Sequence, residues 1–434
     1  MIPPRHRPAG GRARCVLLAL LATGLTPVTG QPFELPDGMA ARNWILSPYF
    51  RSDYRYNNNI FYRSNAGDPE SDRVATLTAG LVATMPFRNS GLSLSWESAY
   101  RDYGDNVFER NIDHRLDANF TLNFSSGDTL TVSDRFILGI TDVQDLDIGG
   151  ELTFAGEGYR DNRATVELSR TQPNRQGYSI RVARIDLNFD DEPAVQFFDF
   201  RGFESAFEYR SPLPAQKWLT ASYELRRFDN FKRCPVQDPA DPTCETPQLE
   251  IGVPYRQEVA DSLLVGMRGR LGRDQPFFLK VGWGRFRYED QPTAKEYDGP
   301  VLQGRWRLGL GSESSLDVLL LRRALPSNFD SYYIINELQT RFRRQWLGQS
   351  SYGSAVTYSR NRYGNVLTVT DGTFDCGGQL RRDVFFQGAA YVEWAPIDRM
   401  SIRMEGRHLS RSSSCAGSSY DSNEISTAIS LGWF

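Results

Sequence analysis

Strict alternation between apolar and polar residues recurs at many points of this chain. In residues 116–124, leucine, alanine and phenylalanine occupy the even positions, while aspartate, asparagine and threonine occupy the odd ones. Met400, Ile402 and Met404 are separated in the same way by serine and arginine. A period of two puts the two kinds of side chain on opposite faces of a β-strand. Because an arginine that faces lipid at mid-depth costs about 2–4 kcal/mol, this partition predicts membrane-spanning strands with an apolar outer face.

The connections between these strands alternate between short and long. Short turns are predicted at residues 87–90, 125–128, 172–177, 212–216, 272–276, 311–314, 347–350 and 395–398. Longer loops are predicted near residues 57–72, 104–111, 141–158, 190–199, 230–255, 290–299, 326–331, 364–381 and 412–422. Eight turns and nine loops separate eighteen strands and leave both termini on the short-turn side. A soluble β-propeller, the alternative, needs neither this asymmetry nor an alternating apolar exterior. We therefore predict an all-β fold, a transmembrane antiparallel up-and-down β-barrel of about eighteen strands with short periplasmic turns and long extracellular loops.

Residues 423–434 form one more alternating segment, which ends the chain on Trp433 and Phe434. The residues Ile425, Ile429 and Leu431 share one face of the predicted strand. In bacterial outer-membrane barrels the last strand closes the cylinder against the first, and aromatic residues lie at the membrane interface. We therefore expect this segment to pair with the first strand.

The first 30 residues have the pattern of a secretory signal peptide. Four arginines precede an apolar core at residues 15–25, and small residues permit cleavage before Gln31. Cleavage after Gly24 is also compatible with the size of the residues there. The expected organisation is a cleaved signal peptide at 1–30, an N-terminal periplasmic segment at 31–43 and an outer-membrane barrel at 44–434.

The composition fits an exported barrel. Removal of the four signal arginines leaves 46 basic residues against 53 acidic ones, a net charge of −7. The mean hydropathy of −0.47 is low, but alternating strands average to such values even when they cross a membrane. After the signal region, no segment approaches the ~18–20 apolar residues of a transmembrane helix. Only four of the basic residues are lysines, and the rigid fork of arginine suits paired charges along a water-filled wall.

A short motif recurs where predicted strands meet long loops. Residues 56–61 (YNNNIF) and 103–108 (YGDNVF) share it, and residues 363–366 (YGNV) are a shorter copy. We interpret the tyrosine as an anchor at the membrane interface, the Asx residues as the turn, and the Ile/Val-Phe pair as a contact that holds the loop down. Together with residues 46–49 (LSPY), the first copy resembles the β-barrel porin 2 family of Gram-negative bacteria. The resemblance implies an outer-membrane protein associated with exopolysaccharide biosynthesis or export, and it carries over no catalytic motif.

Charged residues at the inward positions of the predicted strands are the candidates for the lumen wall. They are Arg115, Asp117, Glu167, Glu224, Arg226, Arg268, Arg270, Arg341, Arg343, Arg403, Glu405 and Arg407. Facing sets of arginines and carboxylates would create a transverse field that orients charged or hydroxyl-rich solutes without binding them tightly.

No enzyme, metal site or cofactor is predicted. Beyond the signal peptide the only histidines are His114 and His408. Asp113 and His114 are consecutive in a predicted strand, so their side chains point to opposite faces and do not form a simple acid–base pair. Acidic loop residues such as Asp142 and Asp145 lack the spacing of an EF-hand and are interpreted as solvated. The Gly-x-Gly patterns lie in strands rather than before a helix, and no basic run suggests nucleic acid.

The combined prediction is a passive outer-membrane channel for a hydrophilic solute, with exopolysaccharide as the leading candidate. The alternative is a structural or adhesive outer-membrane barrel whose lumen is plugged and which acts through its extracellular loops. In both cases the expected partners are outer-membrane lipid, including lipopolysaccharide, and the barrel assembly machinery. Polysaccharide is an expected partner of the channel.

The cysteines provide a test of this topology. Loss of Cys15 with the signal leaves Cys234, Cys244, Cys376 and Cys415 in an oxidising compartment, without the CxxC spacing of a metal site. Cys234 and Cys244 share one predicted loop, and the other two lie in loops that are neighbours on the same rim. We expect the disulfides Cys234–Cys244 and Cys376–Cys415 in non-reducing peptide mapping. A Cys234–Cys376 or Cys244–Cys415 crosslink would contradict the predicted loop assignment.

Overall fold

The described part of the chain consists of eighteen β-strands joined by turns and loops. In this computed structural model it comprises residues 44–60, 62, 69–87, 89–104, 110–125, 127–140, 158–172, 175–189, 199–231, 256–271, 275–289, 295–326, 332–366, 379–415 and 417–432. Within these ranges no helix is long and apolar enough to cross a membrane. The predicted signal peptide, the 31–43 segment, Trp433 and Phe434 lie outside the described residues.

The strands are 13 to 18 residues long. The first nine are β1 (Ile45–Asn57), β2 (Asp72–Pro86), β3 (Ser90–Tyr103), β4 (Asn111–Asn123), β5 (Asp128–Ile140), β6 (Gly158–Thr171), β7 (Gly177–Phe189), β8 (Asp199–Leu213) and β9 (Lys217–Phe231). The second nine are β10 (Arg256–Leu271), β11 (Gln275–Tyr288), β12 (Tyr297–Gly309), β13 (Ser314–Pro326), β14 (Tyr332–Leu347), β15 (Ser350–Val366), β16 (Leu380–Ile397), β17 (Met400–Ser413) and β18 (Tyr420–Gly432).

The eighteen strands form one closed sheet. Each strand pairs antiparallel with the next along the chain, and β18 returns to pair with β1. In that closing pair, Tyr49 lies opposite Gly432 and Asn57 lies opposite Glu424. The predicted strand number, strand direction and closure by the C-terminal segment are confirmed.

The two ends of the cylinder carry different connections, as predicted. Eight short turns lie at one end, including the two-residue turn at 348–349 between β14 and β15. The start of β1 and the end of β18 lie at this same end. Phe231 and Arg256, where β9 ends and β10 begins, lie at the other end, where the stretches of sequence between described strands are mostly longer. The predicted turn at 395–398 begins too early, because β16 continues through a register shift to Ile397.

Side chains that reach across strands identify the inner face. Lys280 on β11 lies 2.6 Å from Glu208 on β8, although β9 and β10 run between them. Such a contact forms only on the concave side of a cylinder. Directly paired residues share a face of the sheet, so the register assigns every strand position to the inner or the outer face.

The outer face is an apolar belt. On β10, Leu263, Val265 and Met267 point outward and are 60%, 48% and 37% exposed. Away from the strand ends, the other exposed large apolar side chains of the strands lie on this same face. A closed antiparallel cylinder with an apolar outside and a charged inside is the architecture of a bacterial outer-membrane β-barrel, and the outer membrane is where this chain resides.

The closing strand follows the predicted alternation. Ile425 and Ile429 point outward and are 63% and 40% exposed. Ser426 and Ala428 point inward and lie opposite Arg55 and Asp53 of β1. The segment therefore presents its apolar face to lipid and its small polar face to the lumen.

The tyrosines of the repeated motif do not share one role. Tyr56 faces outward and is 39% exposed, which fits an interface anchor. Tyr103 and Tyr363 face inward and are 8% and 1% exposed, so for them the predicted interface position is wrong. Each occupies an inward position of its strand, where Tyr103 packs on Ile60 and Val74. Ile60 of the predicted Ile-Phe pair thus packs on residues of the inner face, and Phe61 lies outside the described residues.

The asparagines of the first motif bond to the last strand. Asn57 Oδ1 accepts hydrogen bonds from the Asn59 main-chain N–H (2.8 Å) and from Ser422 Oγ (2.7 Å). The Asn59 side-chain amide donates to the main-chain oxygen of Asp421 at 3.0 Å. These bonds reinforce the barrel where its first and last strands meet.

Cys415 follows β17, is 2% exposed and is disulfide-bonded. Cys234, Cys244 and Cys376 lie outside the described residues. The two predicted pairings therefore stay predictions.

Gly282 on β11 is required by the close approach of β10. A Cβ at this position would overlap the main-chain oxygen of Leu263. We expect Gly282→Ala to lower the free energy of unfolding by about 1–3 kcal/mol, because overpacking forces the backbone to move. Urea titration of the barrel in lipid vesicles, followed by the heat-modifiable folded band, measures this change. Gly406→Ala is the matched control, because a Cβ there meets nothing within 4 Å. Equal losses in the two variants would contradict the steric explanation.

Candidate functional site: the inner wall of the barrel

All twelve residues predicted for the lumen wall lie on the inner face of the barrel. They are distributed over β4, β6, β9, β10, β14 and β17. The register relates them to one another: Arg115 is opposite Glu97 of β3, and Arg407 is opposite Glu424 of β18. Alternation assigns their face but does not bring them together, so they contribute to several separate clusters.

Glu208 on β8 is the centre of one cluster. Its carboxylate lies 2.6 Å from Lys280 Nζ, 3.0 Å from Arg268 Nη1 and 3.6 Å from Arg210 Nε. Arg268 was among the predicted wall residues, whereas Glu208 and Lys280 were missed. Their inward parity was available in the sequence, since Glu208 lies between Phe207 and Tyr209, and Lys280 lies between Leu279 and Val281. Their contact was not, because it depends on the curvature that brings β8 and β11 within reach.

Asp317 on β13 is the centre of a second cluster. It pairs with Arg307 at 3.0 Å and Arg305 at 3.6 Å, both from β12. Arg341 of β14 lies directly opposite Asp317 in the register, and Arg343 lies opposite Ser315. Among the described residues, no carboxylate lies within 4.0 Å of Arg341 or Arg343, and both are exposed.

The two clusters belong to one cationic region of the wall, which we call the basic arc. It consists of Arg268, Arg270, Lys280, Arg305, Arg307, Arg341 and Arg343, on β10, β11, β12 and β14. These positions lie towards the short-turn end of the barrel. Asp317 and Glu208 balance only part of this charge, so the basic arc gives this side of the wall an excess of positive charge.

A third cluster lies on β17. Glu405 accepts from Arg403 at 2.5 Å and from Arg407 at 3.1 Å, and Arg407 also lies 3.8 Å from Glu424. The Arg403 guanidinium lies 3.9 Å from the ring centroid of Tyr391 on β16. Both arginines of this cluster therefore have a carboxylate partner, unlike Arg341 and Arg343 of the basic arc.

A recess of about 350 Å³ opens in the wall between β6 and β12. Side chains of both charges line it: the acidic ones include Glu167 and Glu224, and the basic ones are Arg181, Arg268 and Lys280. Gln303 reaches in from β12 and donates to Glu224 at 3.4 Å. Three predicted residues, Glu167, Glu224 and Arg268, meet only here. The recess offers donors and acceptors together, which suits a polar solute.

An apolar cluster crosses the interior near the long-loop end. It joins Tyr62 of the first loop and Tyr420 of β18 to Tyr159 of β6 and to Leu187 and Phe189 of β7. The rings of Tyr62 and Tyr420 lie 5.3 Å apart. Strands β1 to β5 separate β18 from β6 along the wall, so these contacts form across the lumen. We call this cluster the apolar constriction.

The histidines lie outside these clusters. His114 faces outward, and Asp113 faces inward, where it pairs with Arg101 at 2.9 Å. His408 also faces outward, with its Nδ1 2.9 Å from Asn423 Oδ1. In the described ranges, no group of three or more potential metal-ligating side chains occurs.

Comparisons with known proteins concern the fold. No family model matches the chain, and no curated protein matches its sequence, so the resemblance to the β-barrel porin 2 family stays a prediction. The barrel is similar to the crystal structure of the outer membrane protein OpdK from Pseudomonas aeruginosa, at 12% identity and a TM-score of 0.46, covering 90% of this chain and 99% of OpdK. It is also similar to OpdQ from the same organism, at 10% identity and a TM-score of 0.48, covering 91% of this chain and 100% of OpdQ. OccAB3 from Acinetobacter baumannii is similar at 9% identity and a TM-score of 0.46, covering 90% of this chain and 100% of OccAB3. The fold assignment itself rests on the closed strand pairing of this chain.

Proposed function

We propose that the chain is a passive outer-membrane channel for hydrophilic solutes and that its inner wall favours anions. The basic arc carries this proposal, because Arg341 and Arg343 have no carboxylate within 4.0 Å in the described part of the chain. Cationic side chains that project into a water-filled passage raise the local concentration of anions.

The leading candidate solute is an acidic, hydroxyl-rich saccharide, which narrows the exopolysaccharide expected from the sequence. Guanidinium groups bind carboxylates in a bidentate geometry, and the basic arc offers several of them in succession. Glu167 and Glu224 in the recess can accept hydrogen bonds from hydroxyl groups. Many weak contacts suit passage, because a solute must leave as readily as it enters.

A structural or adhesive barrel is the second candidate. The apolar constriction favours it, because bulky apolar side chains across a lumen hinder the entry of water and ions. The two candidates differ in whether the purified barrel carries current across a bilayer.

Ion selectivity tests the role of the basic arc. We expect Arg341→Glu combined with Arg343→Glu to move the reversal potential towards cation selectivity, since two positive charges become negative. The measurement is made in planar bilayers with a KCl gradient at low salt, where screening is weak. Arg344→Glu is the matched control, because Arg344 is adjacent and exposed but faces outward. Equal reversal potentials in the Arg341→Glu, Arg343→Glu variant and the Arg344→Glu variant would show that Arg341 and Arg343 do not face the conduction pathway.

Single-channel conductance tests the apolar constriction. Tyr62 has a φ of 51°, a backbone conformation that glycine adopts without strain, so Tyr62→Gly removes the ring without straining the backbone at that residue. We expect this variant to conduct more than the wild type. Tyr56→Ala is the control, because Tyr56 faces outward, and its conductance should equal that of the wild type. No current from the wild type or from Tyr62→Gly over many insertions would favour the plugged barrel.

A further inference from the structure

Four arginines on the outer face lie close together at the long-loop end of β13, β15 and β16. They are Arg322, Arg360, Arg362 and Arg382, which we call the outer arginine patch. They line a shallow outer recess of about 660 Å³ together with Leu320, Leu338 and Tyr358. Arg360, Arg362 and Arg382 are exposed.

The register places like charges side by side in this patch. Arg362 of β15 lies directly opposite Arg382 of β16, and Arg360 is two residues along the same face. Like charges directly opposite each other destabilise a sheet unless an anion lies between them. Arg322 is already engaged, because it donates to the main-chain oxygen of Pro300 at 3.2 Å and to Asn336 Oδ1 at 2.6 Å.

Three other arginines of the outer face have acidic partners. Arg184 lies 2.8 Å from Asp186, Arg227 lies 3.4 Å from Glu289, and Arg285 lies 3.6 Å from Asp261. No carboxylate of the described residues lies within 4.0 Å of Arg360, Arg362 or Arg382. Among the described residues, Arg184, Arg227 and Arg285 therefore have carboxylate partners, whereas Arg360, Arg362 and Arg382 have none within 4.0 Å.

The apolar floor of the recess places the patch at a membrane boundary. Leu320, Leu338 and Tyr358 lie one step towards the short turns on β13, β14 and β15, and the last two are 39% and 45% exposed. Arginine side chains above an apolar belt extend their charged groups to the level of lipid headgroups. The long-loop end of an outer-membrane barrel is the extracellular end, so this boundary belongs to the outer leaflet.

We infer that the outer arginine patch binds the phosphate groups of an anionic glycolipid of the outer leaflet. The guanidinium groups of Arg360, Arg362 and Arg382 receive the phosphates, while acyl chains lie against Leu338 and Tyr358. Three lines of structure converge on this occupant: uncompensated positive charge, a like-charge pair across strands, and an apolar surface directly beneath. Guanidinium–phosphate hydrogen bonds are charge-assisted and bidentate, which matches a phosphate carried on a lipid. The inference is independent of the proposed channel.

Binding of a defined glycolipid to the full-length mature barrel tests the inference. The barrel is refolded in detergent and titrated with diphosphorylated lipid A, and bound lipid is measured by native mass spectrometry. We expect Arg362→Gln combined with Arg382→Gln to weaken binding by about 30-fold, because each arginine near an anionic membrane surface strengthens binding by about 5-fold. Arg362→Lys combined with Arg382→Lys should retain most of the affinity. Arg184→Gln combined with Arg285→Gln is the matched control and should bind as the wild type does.

The remaining measurements separate this occupant from others. Heat-modifiability of each variant verifies that it is folded before binding is compared. Lipid A with both phosphates removed should bind as weakly as the Arg362→Gln, Arg382→Gln variant does. Two results would overturn the inference. One is binding of the dephosphorylated lipid that equals the binding of diphosphorylated lipid A. The other is equal lipid A binding by the Arg362→Gln, Arg382→Gln variant and the Arg184→Gln, Arg285→Gln variant. If inorganic phosphate alone stabilised the folded barrel against unfolding to the same extent as lipid A, the assignment to a lipid would be overturned.

Discussion

The pairing of β18 with β1 is the constraint on which the rest of this structure depends. An open edge in lipid would leave a row of backbone groups without partners, at several kcal/mol each, so only a closed cylinder is stable there. The register of this pair, with Tyr49 opposite Gly432, also fixes the phase of the whole sheet. A slip by one residue would turn charged residues to lipid and apolar residues to the lumen. The bonds of Asn57 and Asn59 to the last strand reinforce this register at the opposite end.

Closure separates two electrostatic environments. Inside, curvature brings side chains of non-adjacent strands together, so that Glu208 can balance cations from β8, β10 and β11. Arg163 of β6 and Glu204 of β8 meet across β7 in the same way, whereas Arg341 and Arg343 of the basic arc have no carboxylate within 4.0 Å among the described residues. Outside, curvature moves side chains apart, and Arg184 and Arg285 find their carboxylate partners on their own strand and on the neighbouring strand. Arg362 and Arg382 are neighbours of like sign, and no carboxylate of the described residues lies within 4.0 Å of either.

The apolar constriction and the basic arc lie in series along the lumen. A solute that enters from the long-loop end meets the rings of Tyr62 and Tyr420 before it reaches the charged wall. In the proposed channel, size and dehydration would therefore select first, and charge would select second. The recess lined by Glu167, Glu224 and Lys280 lies on the charged wall and provides donors and acceptors of both signs.

Alternation in the sequence determined the strand number, the strand direction and the face of each wall residue, because the cost of exposing charge to lipid acts on every residue separately. The twelve predicted wall residues therefore all lie inside. The tertiary structure alone decided which inner side chains meet, since the contact of Lys280 with Glu208 and that of Tyr62 with Tyr420 require the curvature of the closed cylinder. The motif also misassigned Tyr103 and Tyr363, because its spacing does not reveal which face the strand presents at its end. Periodicity assigns faces locally, whereas contacts across a lumen depend on how eighteen strands close.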